Sequence, residues 1–288
     1  MSFDASELID LDRYPIYAVG NTACDAASKR RDRVVDQTRA RLAHDGCAVI
    51  KGFLSDTGIA ALKAEADSVS SEGHRSYNRT NPYFTKDDPT LSVDDPRRAF
   101  FDRSNNFIAA DNFKPTGALR AIHNYPAFDP FIRDCLQEDR FFRYADPLAD
   151  VIINMADAGN GFPWHFDTNN FTVTLAIQNA EGGGAFEYAP NIRESGENFS
   201  EVRKVLDENS DKVVTLDLEP GDLQLFRGRY SLHRVAPLEG TTPRYVAIFS
   251  YVDQPDMVAT PERCKQLYGR ALPVHYERAG LRTDDYID

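Results

Sequence analysis

Trp164-His165-Phe166-Asp167 puts an imidazole and a carboxylate two positions apart. On an extended strand, residues i and i+2 project to the same face. His165 and Asp167 would then stand side by side while Phe166 turns into the core. Such a pair forms two corners of a metal site, and a third ligand must come from elsewhere in the chain. His233, in the strand-like segment Tyr230-Ser231-Leu232-His233-Arg234-Val235, is the candidate. Two histidines and one carboxylate occupy one face of an octahedron. They leave three positions open for a bidentate co-substrate and dioxygen, the arrangement of non-haem iron(II) oxygenases. Zinc or manganese accepts the same ligands, so the triad alone does not fix the metal.

Arg244 narrows the choice. It follows His233 by eleven positions and opens the segment RYVAIFSYV, which also carries Ser250. A planar guanidinium suits a carboxylate because it donates two parallel charge-assisted hydrogen bonds. In a metal pocket it would grip the distal carboxylate of 2-oxoglutarate while the keto-acid end chelates iron. Glu219-Pro220-Gly221-Asp222 reads as a tight turn leading into the strand before His233. Taken singly, each feature has a plain structural reading: a core histidine, a turn aspartate, a surface arginine. Their combination is what points to a metal site. His44 ends a helix and suits its C-terminal dipole, and His74, His123 and His275 lack ligand-like neighbours, so all four are read as structural. Gly182-Gly183-Gly184 precedes a strand-like segment, so it reads as a hairpin turn and not a phosphate loop. No G-x-S-x-G motif or paired cysteine supports a nucleophilic mechanism.

The elements that must hold these residues are short strands. From Ala149 onward, DVIINMA, FTVTLAIQ, GAFEYAP, KVVTLDL, GDLQLFRG and RYVAIFSYV are separated by turns. This texture predicts a sandwich or barrel, not a parallel α/β sheet. Before it come a helix over Asp32 to His44, a buried strand over Cys47 to Phe53 and a helix capped by Ser55 and running to about Val69. Residues 71–114 are polar and aromatic without clear periodicity, and are expected to form an irregular loop or lid. Helices are further expected near Pro126 to Leu136, Asn198 to Leu206 and Pro261 to Tyr268, followed by a tail.

Composition restricts the partners. The 288 residues carry a formal charge of −12, which disfavours nucleic acid and anionic membranes. With 42% hydrophobic and 11% aromatic residues, a sizeable folded core is expected. Cys24, Cys47, Cys135 and Cys264 are widely spaced and read as free thiols. Met1 to Tyr17 is too acidic for a signal peptide, and no apolar run reaches membrane-spanning length. A cytoplasmic location is expected.

H-x-D, a downstream Pro-Gly-Asp turn, a distal histidine and an arginine shortly after it resemble the iron(II)/2-oxoglutarate dioxygenases with a double-stranded β-helix, a cupin-like jelly roll. That likeness covers about Ala149 to Val252. GFPWHFDTNNFTVTLAIQ, GGGAFEYAPNIR and QLYGR extend it over most of the chain, toward the BesD-type enzymes that halogenate or hydroxylate free amino acids. The resemblance implies a mainly β fold with flanking helices in one domain. Residues 1–148 would supply helical support and a substrate loop, 149–252 the jelly roll, and 253–288 a helix and tail. It implies iron(II), 2-oxoglutarate and dioxygen. Halogenases of this group have glycine where the hydroxylases have an acid, so Asp167 implies hydroxylation, with desaturation or a non-oxygenase cupin-like metal protein as alternatives. The implied substrate is a free amino acid, with a polar or cationic side chain such as that of lysine favoured. By the same resemblance Arg103 would bind the substrate carboxylate, with Arg79 as second candidate, and Asp146 or Asp150 would anchor a cationic group. Asn154 and Ser250 are expected beside the co-substrate, and Phe162, Trp164, Thr168 and Tyr268 around the substrate.

Overall fold

The computed structural model describes residues 3–18 and 26–278. Its centre is a seven-stranded antiparallel sheet in the order Cys47–Ile50, Leu223–Phe226, Thr172–Gln178, Arg244–Phe249, Val151–Ala156, Phe101–Ile108, His74–Thr80. A four-stranded antiparallel sheet runs Val214–Leu216, Phe186–Ala189, Leu232–Val235, Phe162–His165.

The 172–178 strand explains how the two sheets relate. Val173, Leu175 and Ile177 are buried in the main core with Leu62, Phe128 and Phe131, which come from helices Asp56–Val69 and Phe128–Leu136. Thr172 and Thr174 point the other way, into a cavity they share with Phe186 and His233 of the smaller sheet. One strand face is thus apolar and covered by helices, and the other faces the site, as period two requires. At the far end of the larger sheet, Asp222 after the Gly221 turn accepts from Gly52 N and Glu219 N and pairs with Lys51. Gly221 has φ +94°, which only glycine adopts without strain.

Residues 71–114 depart from expectation. His74–Thr80 and Phe101–Ile108 pair in register as strands, so only the connection between them is a loop. These strands lack an apolar period because Ser76, Thr80, Arg103, Asn105 and Asn106 are buried in them and only Phe107 and Ile108 of their buried residues are apolar. Gly182–Gly183, expected as a plain turn, pairs with Leu238–Glu239. The expected helices form as Ala26–Asp45, Asp56–Val69, Phe128–Leu136, Phe199–Leu206 and Pro261–Tyr268. Ser55 caps the second of these by accepting from Gly58 N. Cys47, Cys135 and Cys264 are free and buried, while Cys24 lies outside the described residues, as does most of the expected tail. No described helix is long and apolar enough to cross a membrane.

His123 carries a stability prediction. Its ring is fully buried against Phe249 and Tyr251, and neither nitrogen has a hydrogen-bond partner among the described residues. Burial, then the Arg143 and Arg120 charges, push it from 6.5 down to about 3. The unfolded chain therefore takes up a proton first as pH falls. The contribution to stability is intact above the unfolded value of 6.5 and is lost progressively toward about 3. His123→Phe should flatten that acid limb and raise stability by about 1–3 kcal/mol, because two unsatisfied polar atoms disappear. Urea melts across this pH range would test it, and an unchanged slope would refute it.

Candidate metal centre and cavity

His165 and His233 are direct partners across the smaller sheet. Their rings lie 4.1 Å apart, centroid to centroid. Asp167 follows just past the end of the 162–165 strand, and its Oδ1 is 3.6 Å from His165 Nε2 and 3.4 Å from His233 Nε2. Each histidine is oriented from behind. His165 Nδ1 faces Pro163 O at 2.8 Å and His233 Nδ1 faces Ser231 O at 3.0 Å. Those carbonyls accept from Nδ1, which leaves Nε2 of each ring toward Asp167 Oδ1 as the nitrogen that a metal would meet. Asp167 Oδ2 accepts from Thr172 Oγ1, which leaves Oδ1 for the centre.

The electrostatics favour a neutral His165 and an anionic Asp167. Burial, then the charge of His233, push His165 down to about 3, so the ring is neutral at ordinary pH. Burial opposes ionisation of Asp167. The charge of His233, then the contacts of the carboxylate with the two imidazoles, overcome it and hold the carboxyl well below its usual range. Neutral imidazoles and an anionic carboxylate are the forms a divalent metal binds. The donor set therefore fits a divalent ion.

Gly228 secures the carboxylate. Its carbonyl accepts from Asp167 N at 3.0 Å, and a Cβ added to it would lie 1.8 Å from Asp167 Oδ2. Gly228→Ala should push the carboxylate aside and weaken metal affinity by about 10–100-fold, the scale of lost outer-layer support. Metal titration followed by fluorescence would measure this, and an unaltered midpoint would count against it.

The triad opens into a cavity of about 270 Å³ between the sheets, small even for a metabolite site. Arg244 lines the same cavity from the first position of the 244–249 strand and is 6% exposed. Among the described residues, no acceptor or carboxylate pairs with its guanidinium, and burial alone pushes it from 12.5 to about 10. A buried cation without a counter-charge is costly, so this arginine is arranged for an anion. Asn154 and Ser250 line the cavity too, and Asn154 Nδ2 lacks a partner. Thr174 Oγ1 donates to Gln224 Oε1 at 2.9 Å on the same wall.

Residues 30–268 match the family model described as Halogenase D. The chain belongs to that family. Its fold is shared by a 2-oxoglutarate/iron(II) oxygenase-family protein from Burkholderia pseudomallei, 13% identical over 76% of this chain and 91% of that one, with a TM-score of 0.50. A prolyl hydroxylase from Trichoplax adhaerens, in complex with a hypoxia-inducible-factor peptide, is 18% identical over 78% and 92%, with a TM-score of 0.52. AviO1 from Streptomyces viridochromogenes is 17% identical over 83% and 100%, also at 0.52. No curated protein matches the chain. The fold shared with these oxygenases is the double-stranded β-helix.

The remaining expected residues divide. Arg103, Phe162, Thr168 and Tyr268 line the cavity. Trp164 does not: it packs with Phe166, Ile192 and Val202 behind the triad, under Arg234, because alternation turns it away from His165. Arg79 is exposed and lies 3.7 Å from Asp102. Asp150 is held by Arg120 at 2.5 Å. Asp146 is fully buried, accepting from Leu148 N, Ala259 N and His275 Nε2. None of these last three residues lines the cavity.

His275 was expected to lack ligand-like neighbours, yet it gathers with Asp146 and Cys264. Leu272 N donates to His275 Nδ1 at 2.8 Å, so Nε2 carries the proton toward Asp146. Burial, then the Asp146 charge, push the Cys264 thiol up to about 12. Both groups hold protons that a metal would have to displace, so the cluster is a clamp tying helices Pro261–Tyr268 and Pro273–Glu277 to the sheet. Sequence reasoning also missed Arg263 of the first of those helices, which lines the cavity. A charged residue in a helix gives no signal of facing inward.

Proposed function

We propose that the protein hydroxylates an unactivated carbon of a free amino acid, releasing succinate and CO2. The observation that carries this reading is the unpaired, buried Arg244 in the same small cavity as the His165–Asp167–His233 cluster. His165, Asp167 and His233 would hold iron(II), and Arg244 the distal carboxylate of 2-oxoglutarate, with Asn154 and Ser250 beside it. The bound metal with its co-substrate supplies the power to take hydrogen from carbon and return oxygen. The chain supplies placement. Two backbone carbonyls orient the imidazoles, Thr172 donates to the carboxylate, and Gly228 leaves it room. Asp167 itself favours hydroxylation over halogenation, because its carboxylate takes the position that a halide would need.

Arg103 is assigned to the substrate carboxylate. It is buried, its Nε donates to Asn105 Oδ1, and its guanidinium lies over the Phe162 ring at 3.8 Å. The test is succinate release from the iron-loaded protein, oxygen and 2-oxoglutarate across a panel of free amino acids. The expected result is amino-acid-dependent succinate matched by a product one oxygen atom heavier. Succinate independent of every amino acid would overturn the substrate reading. Absence of an anaerobic visible charge-transfer band on adding iron(II) and 2-oxoglutarate would overturn the assigned site.

A further inference from the structure

We propose that Phe84 is a positioning residue: its ring, aimed by a left-handed turn after the 74–80 strand, holds the Arg103 guanidinium in place to receive the substrate carboxylate. This deepens the reading of the site given above and rests on its assignment of Arg103.

Phe84 has φ +56°. A bulky side chain is rarely found in that region, and such a conformation persists only where its surroundings enforce it. Here they do. Asn81 is fully buried, and its side chain knots the turn. Its Nδ2 donates to Thr85 O at 3.0 Å and to Arg97 O at 2.5 Å, while its Oδ1 accepts from Tyr83 N at 2.9 Å and from Thr85 N at 3.2 Å. Phe84 N closes the turn on Asn81 O at 3.1 Å. The turn is also fastened to the segment that carries the triad. Phe166 N donates to Pro82 O at 2.9 Å, and the Tyr83 ring lies 5.2 Å from the Phe166 ring. With residues 82 and 83 docked there, the Phe84 ring comes to lie 5.7 Å from the His165 ring and 5.3 Å from the guanidinium carbon of Arg103.

Three neighbours set the direction of Arg103. The Phe162 ring lies 3.8 Å from its guanidinium carbon, the Phe84 ring lies farther out, and Asn105 Oδ1 accepts from its Nε. Asn105 is in turn tied to Gly161 O through its Nδ2 at 3.5 Å. Among the described residues, the two terminal nitrogens of Arg103 meet no acceptor, and these are the donors a carboxylate would take. Burial, then the Arg263 charge, hold the Arg103 pKa well below its usual range against the pull of Asp167, so an anion is the partner that relieves it. Arg103 and Phe162 line the cavity, whereas Phe84 stands outside the lining. Phe84 therefore reaches a ligand only through the arginine. An arginine already fixed by ring contacts loses less freedom when it takes that ligand, which strengthens binding without a new contact to it.

The experiment is calorimetric binding to the full-length protein loaded with iron(II) and 2-oxoglutarate without oxygen. The probes are the standard amino acids and butyrate. Phe84→Gly removes the ring and accepts the turn without strain, so a loss in this variant does not come from a distorted backbone. It should raise the Kd of the tightest-binding amino acid by about 5–30-fold, the scale of a desolvated contact between a cation and a ring. Phe84→Tyr keeps the ring and should stay within about twofold of the parent protein. Titrations of Phe84→Gly with iron(II) and with 2-oxoglutarate should also stay within about twofold. Succinate release closes a cycle. Added to Arg103→Met, Phe84→Gly should change kcat/KM for that amino acid by less than about twofold, because no guanidinium is left for the ring to hold. An unchanged Kd in Phe84→Gly overturns the proposal. So does an equal loss with and without Arg103, or a matching loss of metal, either of which makes Phe84 a brace of the fold. Unaltered amino-acid binding in Arg103→Met would sink the assignment of Arg103, and this proposal with it. Binding of butyrate that depends on both Arg103 and Phe84, with no amino acid bound, would sink the amino-acid reading while leaving this one standing. Binding of none of the probes would sink this proposal.

Discussion

Asp167→Ala is expected to cost more than about 100-fold in 2-oxoglutarate turnover, and to do so by losing the metal and not the fold. Outer-layer partners of metal ligands are worth up to about 100-fold, and a ligand must exceed its own supports. Asp167 is the one anionic donor of the cluster, with Oδ1 at 3.6 and 3.4 Å from the two imidazole nitrogens. Without it a divalent ion would rest on two neutral rings. The backbone around position 167 is tied independently of the side chain: Asp167 N donates to Gly228 O and Phe166 N to Pro82 O. Alanine should keep both bonds, so far-ultraviolet dichroism should match the parent protein. The anaerobic visible band on adding iron(II) and 2-oxoglutarate should vanish. A retained band would mean that another residue completes the centre.

The gathering of His165, Asp167 and His233 was legible because strand geometry is short-range. H-x-D puts two side chains on one face wherever the segment is extended, and a strand pairing brings His233 opposite His165. Arg244 was marked by its place eleven positions after His233 and by the fit of a guanidinium to a carboxylate, and the structure puts it in the cavity. The hairpin of 74–80 and 101–108 was hidden because most of what it buries is polar, Ser76, Thr80, Arg103, Asn105 and Asn106 among them. Hydrophobic period marks strands that face a core, not strands that wall a polar cavity. The acids misled for the opposite reason. Asp146 and Asp150 sit near the cavity-forming strands in sequence, but a carboxylate is claimed by whatever donors lie closest. Here those are the Ala259 amide, His275 and Arg120. Arg263 and Gly228 gave no signal at all. Their roles come from the docking of a helix and the packing of a loop beneath a carboxylate, contacts that no local spacing encodes.

Arg244→Met should stabilise the cofactor-free protein and cripple it toward its co-substrate, two effects of opposite sign from one side chain. Arg244 is 6% exposed, and its guanidinium is unpaired among the described residues. Burial that lowers the pKa of a cationic group disfavours its charged form in the folded state, so removing the charge relieves a cost of folding. Methionine fills much of the same volume with no charge, between Gly184, whose added Cβ would lie 3.4 Å from the Arg244 Cδ, and the cavity. The melting temperature without 2-oxoglutarate should therefore rise by a few degrees, on the order of 1 kcal/mol. With the ligand present the sign reverses. A bidentate pair between arginine and carboxylate in a desolvated site is worth about 2–5 kcal/mol to the complex. The Kd for 2-oxoglutarate should rise by roughly 30- to 3000-fold. Saturating ligand should then raise the melting temperature of the parent protein far more than that of the variant. Arg244→Lys keeps the charge but not the fork, so it should retain the instability and recover only part of the affinity. A variant that melts lower without ligand would mean that Arg244 braces the sheet. Unchanged affinity for 2-oxoglutarate would mean that the distal carboxylate is held elsewhere, with Arg103 and Arg263 the remaining cations in the cavity.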